Sequence, residues 1–189
     1  MKVAVAKYPI QAPASWAEFA ARQRTVLAEA ADAGAQLAVL PEYLSLELAA
    51  ALGPDVSKSL PASLRGTQVF HDDWLALYAE LAQSLNLIIQ AGTFLLQVGQ
   101  GRYRNRAWWF TPDGRRGYQD KMQLTGFEKQ LGVIEPGDAL QVFDLAACAP
   151  ASRSATTASS RSACAPSAKL AHSCCWCRAA PTPTPVPPV

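Results

Sequence analysis

The sequence has no cysteine before Cys148 and no acidic residue after Asp144. Residues 1–144 hold 13 Lys and Arg against 15 Asp and Glu, a net charge of −2, whereas residues 145–189 hold four basic residues and no acid, a net charge of +4. The overall charge of +2 therefore comes from the last segment. It does not indicate a nucleic-acid-binding surface on the rest of the chain, so we expect no nucleic-acid partner.

Long apolar runs are also missing. No run approaches the roughly 20 residues that a membrane-spanning helix needs. The apolar stretch between Lys2 and Lys7 is too short for the central region of a signal peptide. These absences argue against a membrane partner and predict a cytoplasmic location.

The first 41 residues read as a strand, a helix and a second strand. Val3–Ala6 is a continuous apolar run, typical of a strand buried on both faces. Ser15 and Glu18 match a helix capping box, and Gly34 supplies the stop. Residues 36–40 form a second apolar run before Pro41. A short connection of this kind predicts a βαβ unit with a parallel strand pair.

The rest of the chain up to Lys121 predicts a second helix and several more strands. A loop rich in Pro, Ser and Gly leads to helical spacing over residues 69–85, and residues 87–91 form another apolar strand. The stretches FLLQV and YRNRAWWFT favour antiparallel strands, and PDG at 112–114 is a strong turn signal before a short strand to Lys121. The sum is a mixed α/β layer protein of 189 residues.

Three charged residues stand where chemistry is expected. Glu42 lies just beyond the second strand, where catalytic groups of open α/β sheets gather, and a carboxylate there suits a general base. Lys121 follows a comparable strand end and could stabilise an oxyanion. Glu128 could be a second carboxylate of the same site. Taken alone, Glu42 and Lys121 fit an ordinary solvated charge better than a catalytic role, and Glu128 could equally be a surface acid.

Their order along the chain is more specific. LPEY, then DKMQLTGFE, then PGD and a VFDL strand resembles the carbon-nitrogen hydrolase (nitrilase and amidase) family over roughly residues 1–145. The resemblance implies an αββα sandwich, of which the second half would be missing here. It also implies hydrolysis of non-peptide carbon–nitrogen bonds in a small-molecule amide or nitrile. It implies a Glu-Lys-Cys triad with Glu42 as base, Lys121 as oxyanion stabiliser and Glu128 positioning substrate or water.

The resemblance implies no cofactor and no metal. Family members commonly dimerise, so it allows a homodimer for an intact family member. Trp108, Trp109 and Tyr43 are candidates for lining a pocket, although aromatics at strand spacing more often belong to a core or an interface.

The nucleophile is where the sequence departs from the family. A motif similar to GVAICYDSEFP should follow the VFDL strand, but the chain reads CAPASRSATTASSR, and neither Cys148 nor Cys164 has the flanking apolar run of a strand end. Permitted codons for Ser154–Arg161 are TCT GCT ACG ACA GCG AGT TCC CGC. Read one base earlier, from an A that ends the Arg153 codon, they spell Ile-Cys-Tyr-Asp-Ser-Glu-Phe-Pro.

Two bases of each shifted codon are already set by this protein, so codon degeneracy leaves little room for accidental agreement. We therefore predict that the reading frame slipped between about Asp144 and Cys148, which makes residues 146–189 an out-of-frame, disordered, low-complexity tail. The chain as written would then be inactive, with no nucleophile in frame.

A different class of function stays open at this point. The body could be a non-catalytic α/β interaction module whose basic, cysteine-rich tail binds a partner or a metal. His172, Cys174, Cys175 and Cys177 are the candidate zinc ligands, but adjacent Cys174 and Cys175 do not match the spacing of paired zinc knuckles.

Overall fold

In the computed structural model, which describes residues 1–143, the predicted apolar runs and turns form a sheet covered by helices. The strands are β1 (Val3–Val5), β2 (Leu37–Val39), β3 (Ile88–Gly99), β4 (Arg102–Phe110), β5 (Arg116–Asp120) and β6 (Ile134–Glu135). The helices are α1 (Trp16–Asp32), α2 (Pro54–Ser57), α3 (Leu60–Gly66), α4 (His71–Ser84) and α5 (Gly126–Leu131), with 3₁₀ helices at Leu44–Leu52 and Thr67–Phe70.

The sheet is mixed and runs in the order β1-β2-β3-β4-β5. Strands β1, β2 and β3 pair in parallel, β3, β4 and β5 pair antiparallel, and the short β6 adds in parallel to β4. The predicted βαβ unit and the α/β fold class are confirmed. Within residues 1–143, no helix has the length and apolarity of a membrane span.

Helix α1 begins and ends as its sequence predicts. The Ser15 side chain accepts a hydrogen bond from the Glu18 N–H, and the Glu18 carboxylate accepts from the N–H of Ala14, one residue before the expected position. Gly34 follows the helix with φ +77°, the left-handed conformation that closes many helices, and its N–H donates to the Ala31 carbonyl.

The main core lies between the sheet and helices α1 and α4. Helical spacing brings one stripe of each helix onto the sheet, and each large apolar side chain buried there contributes roughly 1.5–3 kcal/mol. The largest buried members are Phe19 and Leu27 of α1, Trp74, Tyr78 and Leu81 of α4, and Phe94, Trp108 and Phe110 of the sheet. The helix predicted over residues 69–85 is confirmed as α4, preceded by a 3₁₀ turn.

The prediction that the first strand is buried on both faces is wrong. Val3 is 45% exposed and Val5 is 75% exposed, so no described element covers the face of β1 that carries them, and β1 is also the edge of the sheet among the strands described. The apolar run therefore shows that a strand forms, but not that both of its faces are covered in this part of the chain.

Two other predictions need correction. The segment predicted as a loop between residues 43 and 68 is mostly helical, because Leu44, Leu48 and Leu64 bury apolar faces against the sheet. Residues 87–91 and FLLQV are not separate strands. They form the single strand β3, interrupted by a register shift between Gln90 and Thr93.

The turn signals after β4 are confirmed, whereas the last predicted strand is not seen in its described part. At the PDG turn the Gly114 N–H donates to the Thr111 carbonyl. Val142 and Phe143 of the predicted VFDL strand are not in a strand. Asp144, Leu145 and the predicted tail at 146–189 lie outside the described residues.

Candidate active site

The loop that carries Glu42 is held directly against the β3 backbone. Gly92, in the β3 register shift, has φ +68°, and a Cβ on it would lie 2.4 Å from the Pro41 carbonyl oxygen. On the other side of Glu42, the Tyr43 N–H donates to the Thr93 hydroxyl at 2.7 Å. Only glycine permits this approach, so β3 fixes where Glu42 stands.

Lys121 follows directly after β5, and its place depends on a charged pairing between β4 and β5. Asp120, 6% exposed, forms two hydrogen bonds to the Arg106 guanidinium, at 2.7 and 2.8 Å. The Lys121 N–H donates to the Asn105 carbonyl at 2.9 Å. Gly137 of the EPGD turn packs against Asp120, where a Cβ would meet the carbonyl oxygen at 2.8 Å. Lys121 is therefore placed by the register of the two strands.

Glu128 lies on α5, a short helix that the sequence reading missed. Thr125 caps the helix, and both bonds of a capping box are present: Glu128 N–H to the Thr125 hydroxyl, and Thr125 N–H to Glu128 Oε2 at 2.7 Å. The T-x-x-E pattern of Thr125 and Glu128 was a readable signal for this helix. The cap turns the Glu128 side chain back toward Lys121.

The three predicted site residues meet in space. The Lys121 ammonium lies 2.9 Å from Glu42 Oε1 and 2.9 Å from Glu128 Oε2. Glu128 and the Lys121 side chain are almost fully buried, at 1% and 7% exposure, while the Glu42 side chain is 29% exposed. Two carboxylates thus share one ammonium, and Glu42 is the group of the three most open to solvent.

Two further side chains, Tyr43 and Asn105, complete the cluster. The sequence did not predict that either would contact these charged groups. The Tyr43 hydroxyl donates to Glu128 Oε1. Asn105 Nδ2 donates to Glu42 Oε1 at 2.6 Å and to Glu128 Oε1 at 3.3 Å. Asn105 stands in YRNRAWWF, where strand alternation marks it as inward-facing but does not reveal its partners.

The surroundings fix the charges of the buried members. Burial alone would raise the pKa of Glu128, but hydrogen bonds from Tyr43, Thr125 and Lys121 outweigh it and lower that pKa to about 2. Burial alone would lower the pKa of Lys121, but its bonds to Glu42 and Glu128 raise it above the usual value. Burial, then the bond to Glu128, raises the pKa of Tyr43. At neutral pH the cluster holds ionised Glu128, cationic Lys121 and a neutral Tyr43 donor.

The other candidates from the sequence lie elsewhere. Trp108 packs in the main core, and Trp109 packs with Leu37 and Ile88. Both tryptophans therefore pack in hydrophobic clusters, and these positions fit a core role better than the wall of a pocket. All five cysteines and His172 lie outside the described residues, and residues 1–143 contain no group of three or more metal-ligating side chains.

A family model described as "Carbon-nitrogen hydrolase" matches residues 2–178. The chain belongs to the carbon-nitrogen hydrolase family. Among curated proteins, this family member is similar to a probable hydrolase, YhcX, of Bacillus subtilis, with 27% identity over 144 residues, which cover 76% of this chain and 27% of that protein.

Solved structures agree on the fold. A carbon-nitrogen hydrolase from Helicobacter pylori G27 superposes with a TM-score of 0.55 and 19% identity over 72% of this chain and 44% of that one. An amidase variant from Nesterenkonia sp. AN1, in complex with acrylamide, gives a TM-score of 0.50 and 15% identity over 74% and 49%. This carbon-nitrogen hydrolase chain therefore spans under half the length of these structures and about a quarter of the curated relative.

Proposed function

We propose that the intact product of this gene hydrolyses a non-peptide carbon–nitrogen bond, in a small amide or nitrile, through a cysteine nucleophile. The observation that carries the proposal is the Lys121 ammonium shared between Glu42 and Glu128 at 2.9 Å. A cation fixed beside a partly exposed carboxylate supplies the two functions that thiol attack on an amide requires.

Glu42 acts as the base. A thiol is a weak nucleophile until a base removes its proton, so Glu42 takes the S–H proton as sulfur attacks the amide carbon. The same proton then passes to the leaving nitrogen as the carbon–nitrogen bond breaks. Water, deprotonated by Glu42, hydrolyses the resulting thioester and restores the thiol.

Lys121 stabilises the oxyanion. An ammonium has three N–H donors, and in the described part of the chain its partners are the carboxylates of Glu42 and Glu128. One donor to each carboxylate leaves a third for the substrate oxygen when it gains negative charge. Because ion pairing raises the pKa of Lys121, the cation persists at neutral pH.

Glu128 keeps Lys121 in place. Both of its oxygens accept hydrogen bonds within residues 1–143, and it is 1% exposed. We assign it the role of a fixed anion that orients Lys121 and Tyr43 toward substrate.

The nucleophile belongs to the shifted frame. We propose that the cysteine of Ile-Cys-Tyr-Asp-Ser-Glu-Phe-Pro completes the triad, that the frame slipped between about Asp144 and Cys148, and that the chain as written is inactive. Resequencing the source DNA from codon 140 to codon 185 tests the slip. If the source DNA has one base more or one base fewer than the recorded sequence, the slip is supported and is a recording error. If the frame is unchanged, a recording error is ruled out.

The activity test compares two proteins. The frame-restored protein and the 189-residue chain are assayed for ammonia release from acrylamide and other small amides and nitriles. Acrylamide is a sensible first probe because the related Nesterenkonia amidase variant binds it. We expect turnover only in the frame-restored protein, abolished by iodoacetamide and by Lys121→Met. Thiol-dependent turnover by the 189-residue chain would overturn the predicted inactivity.

The proposal places the enzyme in the cytoplasm and gives it a small-molecule substrate. It requires no cofactor.

A further inference from the structure

Asn105 lies at the centre of the cluster, on β4, and is 1% exposed. Its amide nitrogen is 2.6 Å from Glu42 Oε1 and 3.3 Å from Glu128 Oε1. An amide nitrogen carries two hydrogens, so one can point to each carboxylate. The reverse orientation would set the amide oxygen against two carboxylate oxygens, which the charges forbid.

The Glu42 carboxylate is occupied on one side only. Oε1 accepts from Asn105 Nδ2 and from Lys121 Nζ, at 2.6 and 2.9 Å. Oε2 accepts no hydrogen bond from any residue between 1 and 143. A carboxylate held through one oxygen by two donors on different elements has its rotation restricted, and its other oxygen is available.

We propose that Asn105 is a positioning residue that turns Glu42 so that Oε2, not Oε1, is the oxygen that accepts the thiol proton. The inference rests on the proposed function for its chemical consequence. In that step the S–H bond breaks, its electron pair stays on sulfur as the thiolate, and an O–H bond forms at Glu42 Oε2.

A neutral donor suits this place better than a second cation. The cluster holds two carboxylates and one ammonium, Lys121, and so carries one excess negative charge when both are ionised. A lysine or arginine in place of Asn105 would cancel that charge, and a cation beside a carboxylate makes it a poorer proton acceptor. An amide orients the carboxylate by hydrogen bonding while leaving the charge in place.

The strand register supports the same role. The Asn105 carbonyl accepts the Lys121 N–H, and the flanking Arg104 and Arg106 both reach Asp120, the residue before Lys121. Asn105 Oδ1 is buried and has no partner among the described residues. A buried unpaired acceptor is unfavourable. Asn105 leaves its oxygen unpaired while its amide nitrogen donates to both carboxylates.

The contact can be tested on the 189-residue chain without any activity. The whole sequence has two asparagines, Asn105 and the exposed Asn86, so ¹⁵N labelling of asparagine side chains gives two NH₂ pairs in an NMR spectrum. We expect the Asn105 pair to exchange with solvent at least about tenfold more slowly than the Asn86 pair. In Glu42→Gln the Asn105 pair should shift, because a neutral acceptor replaces a charged one, and the Asn86 pair should not.

The positioning role is tested in the frame-restored protein. Asn105→Leu, with Asn105→Ala as a second variant in case leucine is too bulky to fold, should lower kcat about 100-fold while KM stays within about threefold. The rate of cysteine alkylation by iodoacetamide at neutral pH should fall with kcat. Gln119→Met is the matched control, because it also replaces a buried amide, on the neighbouring strand β5. The Gln119 amide donates to the Asp120 and Ala139 carbonyls and accepts from the Gln141 N–H, and within residues 1–143 it has no hydrogen bond to a side chain of the cluster.

The outcomes separate the two proposals. An Asn105 pair that exchanges like Asn86 or ignores Glu42→Gln overturns the positioning role, as does an Asn105 variant that keeps kcat and alkylation within threefold of wild type. A frame-restored protein that hydrolyses no amide or nitrile overturns the proposed function, and the NMR result then still decides whether Asn105 contacts Glu42, on which the positioning role depends.

Discussion

The segment that carries the partly exposed Glu42 also carries a buried carboxylate, Glu47, five residues later, and the two have different surroundings. Glu47 is 5% exposed, and both of its oxygens are occupied. Oε2 accepts the Tyr8 hydroxyl at 2.9 Å, and Oε1 accepts the Gln11 N–H at 2.6 Å and lies 3.7 Å from the Arg22 guanidinium. One acid faces one cation there, and each carboxylate oxygen already has a hydrogen-bond donor.

The Glu42 cluster is the opposite case. Two carboxylates share the single cation Lys121, and one Glu42 oxygen has no partner in residues 1–143. A fully satisfied polar network stabilises the fold, whereas an incompletely satisfied one costs stability and is kept where it can bind or react. The contrast separates Glu47, which ties the segment after β1 to the 3₁₀ helix, from Glu42, which we propose as the proton acceptor.

Lys121→Met should break the contrast most strongly. It leaves Glu128 buried without its cation, so we expect the free energy of unfolding in urea to fall by about 3–5 kcal/mol. Lys129→Met, which removes an exposed lysine from α5, is the control and should change stability by less than about 0.5 kcal/mol. A loss below about 1 kcal/mol for Lys121→Met would contradict the pairing described above.

The pH dependence of stability should report Glu128. Its pKa falls from 4.5 to about 2 on folding, so its contribution of about 3 kcal/mol is fully present above pH 4.5 and is lost as the pH falls toward 2. Urea unfolding measured from pH 6 to pH 2.5 should show this decline in wild type and a flatter one in Glu128→Gln. The exposed Glu29→Gln should keep the wild-type slope, and equal slopes in all three proteins would rule out the assignment.

Glu47→Gln and Glu42→Gln form a matched pair. Glu47→Gln disturbs a carboxylate with a donor on each oxygen and should cost about 1–3 kcal/mol of stability. It should leave kcat of the frame-restored enzyme within about threefold of wild type. The second should cost less stability but lower kcat by at least about 100-fold. Denaturant melts and steady-state kinetics on the same two proteins check both halves, and a reversed pattern would show that the two carboxylates have been assigned the wrong way round.

The smallest effects should come from two tyrosines that donate to buried carboxylates, Tyr43 to Glu128 and Tyr8 to Glu47. Tyr43→Phe and Tyr8→Phe each remove one hydroxyl, worth about 1 kcal/mol of stability, but only Tyr43→Phe should also lower kcat. In wild type, burial and the bond to Glu47 raise the pKa of Tyr8 to about 12. The near-ultraviolet absorbance of Tyr8, obtained by difference against Tyr8→Phe, should therefore stay that of a neutral phenol up to about pH 11. Ionisation near pH 10 would contradict the Glu47 contact.

Local signals in the sequence predicted the elements well wherever they were strong. Ser15, Glu18 and Gly34 bounded α1, and the apolar spacing of Trp74, Leu77 and Leu81 identified α4. The resemblance to the carbon-nitrogen hydrolase family, carried by LPEY and DKMQLTGFE, grouped Glu42, Lys121 and Glu128, which are separated by up to 86 residues and which the fold places in contact.

Other features depend on tertiary packing and could not be read locally. Exposure of Val3 and Val5 depends on which elements cover β1, and the continuity of β3 across Gly92 depends on its pairing with β4. Asn105 was missed because an inward-facing polar residue on a strand does not reveal which loops will supply its partners. Helix α5 is different, since the T-x-x-E capping signal at Thr125 was present in the sequence.

The contact between Gly92 and the Pro41 carbonyl has a dynamic consequence. Backbone rests on backbone there, and hydrogen bonds tie Leu40 to Gln90 and Tyr43 to Thr93 on either side. Residues 41–43 should therefore relax on the picosecond to nanosecond timescale like the interior of a strand, with order parameters near 0.85. Because Asn105 and Lys121 also hold Oε1, the Glu42 side chain is restrained at both of its ends.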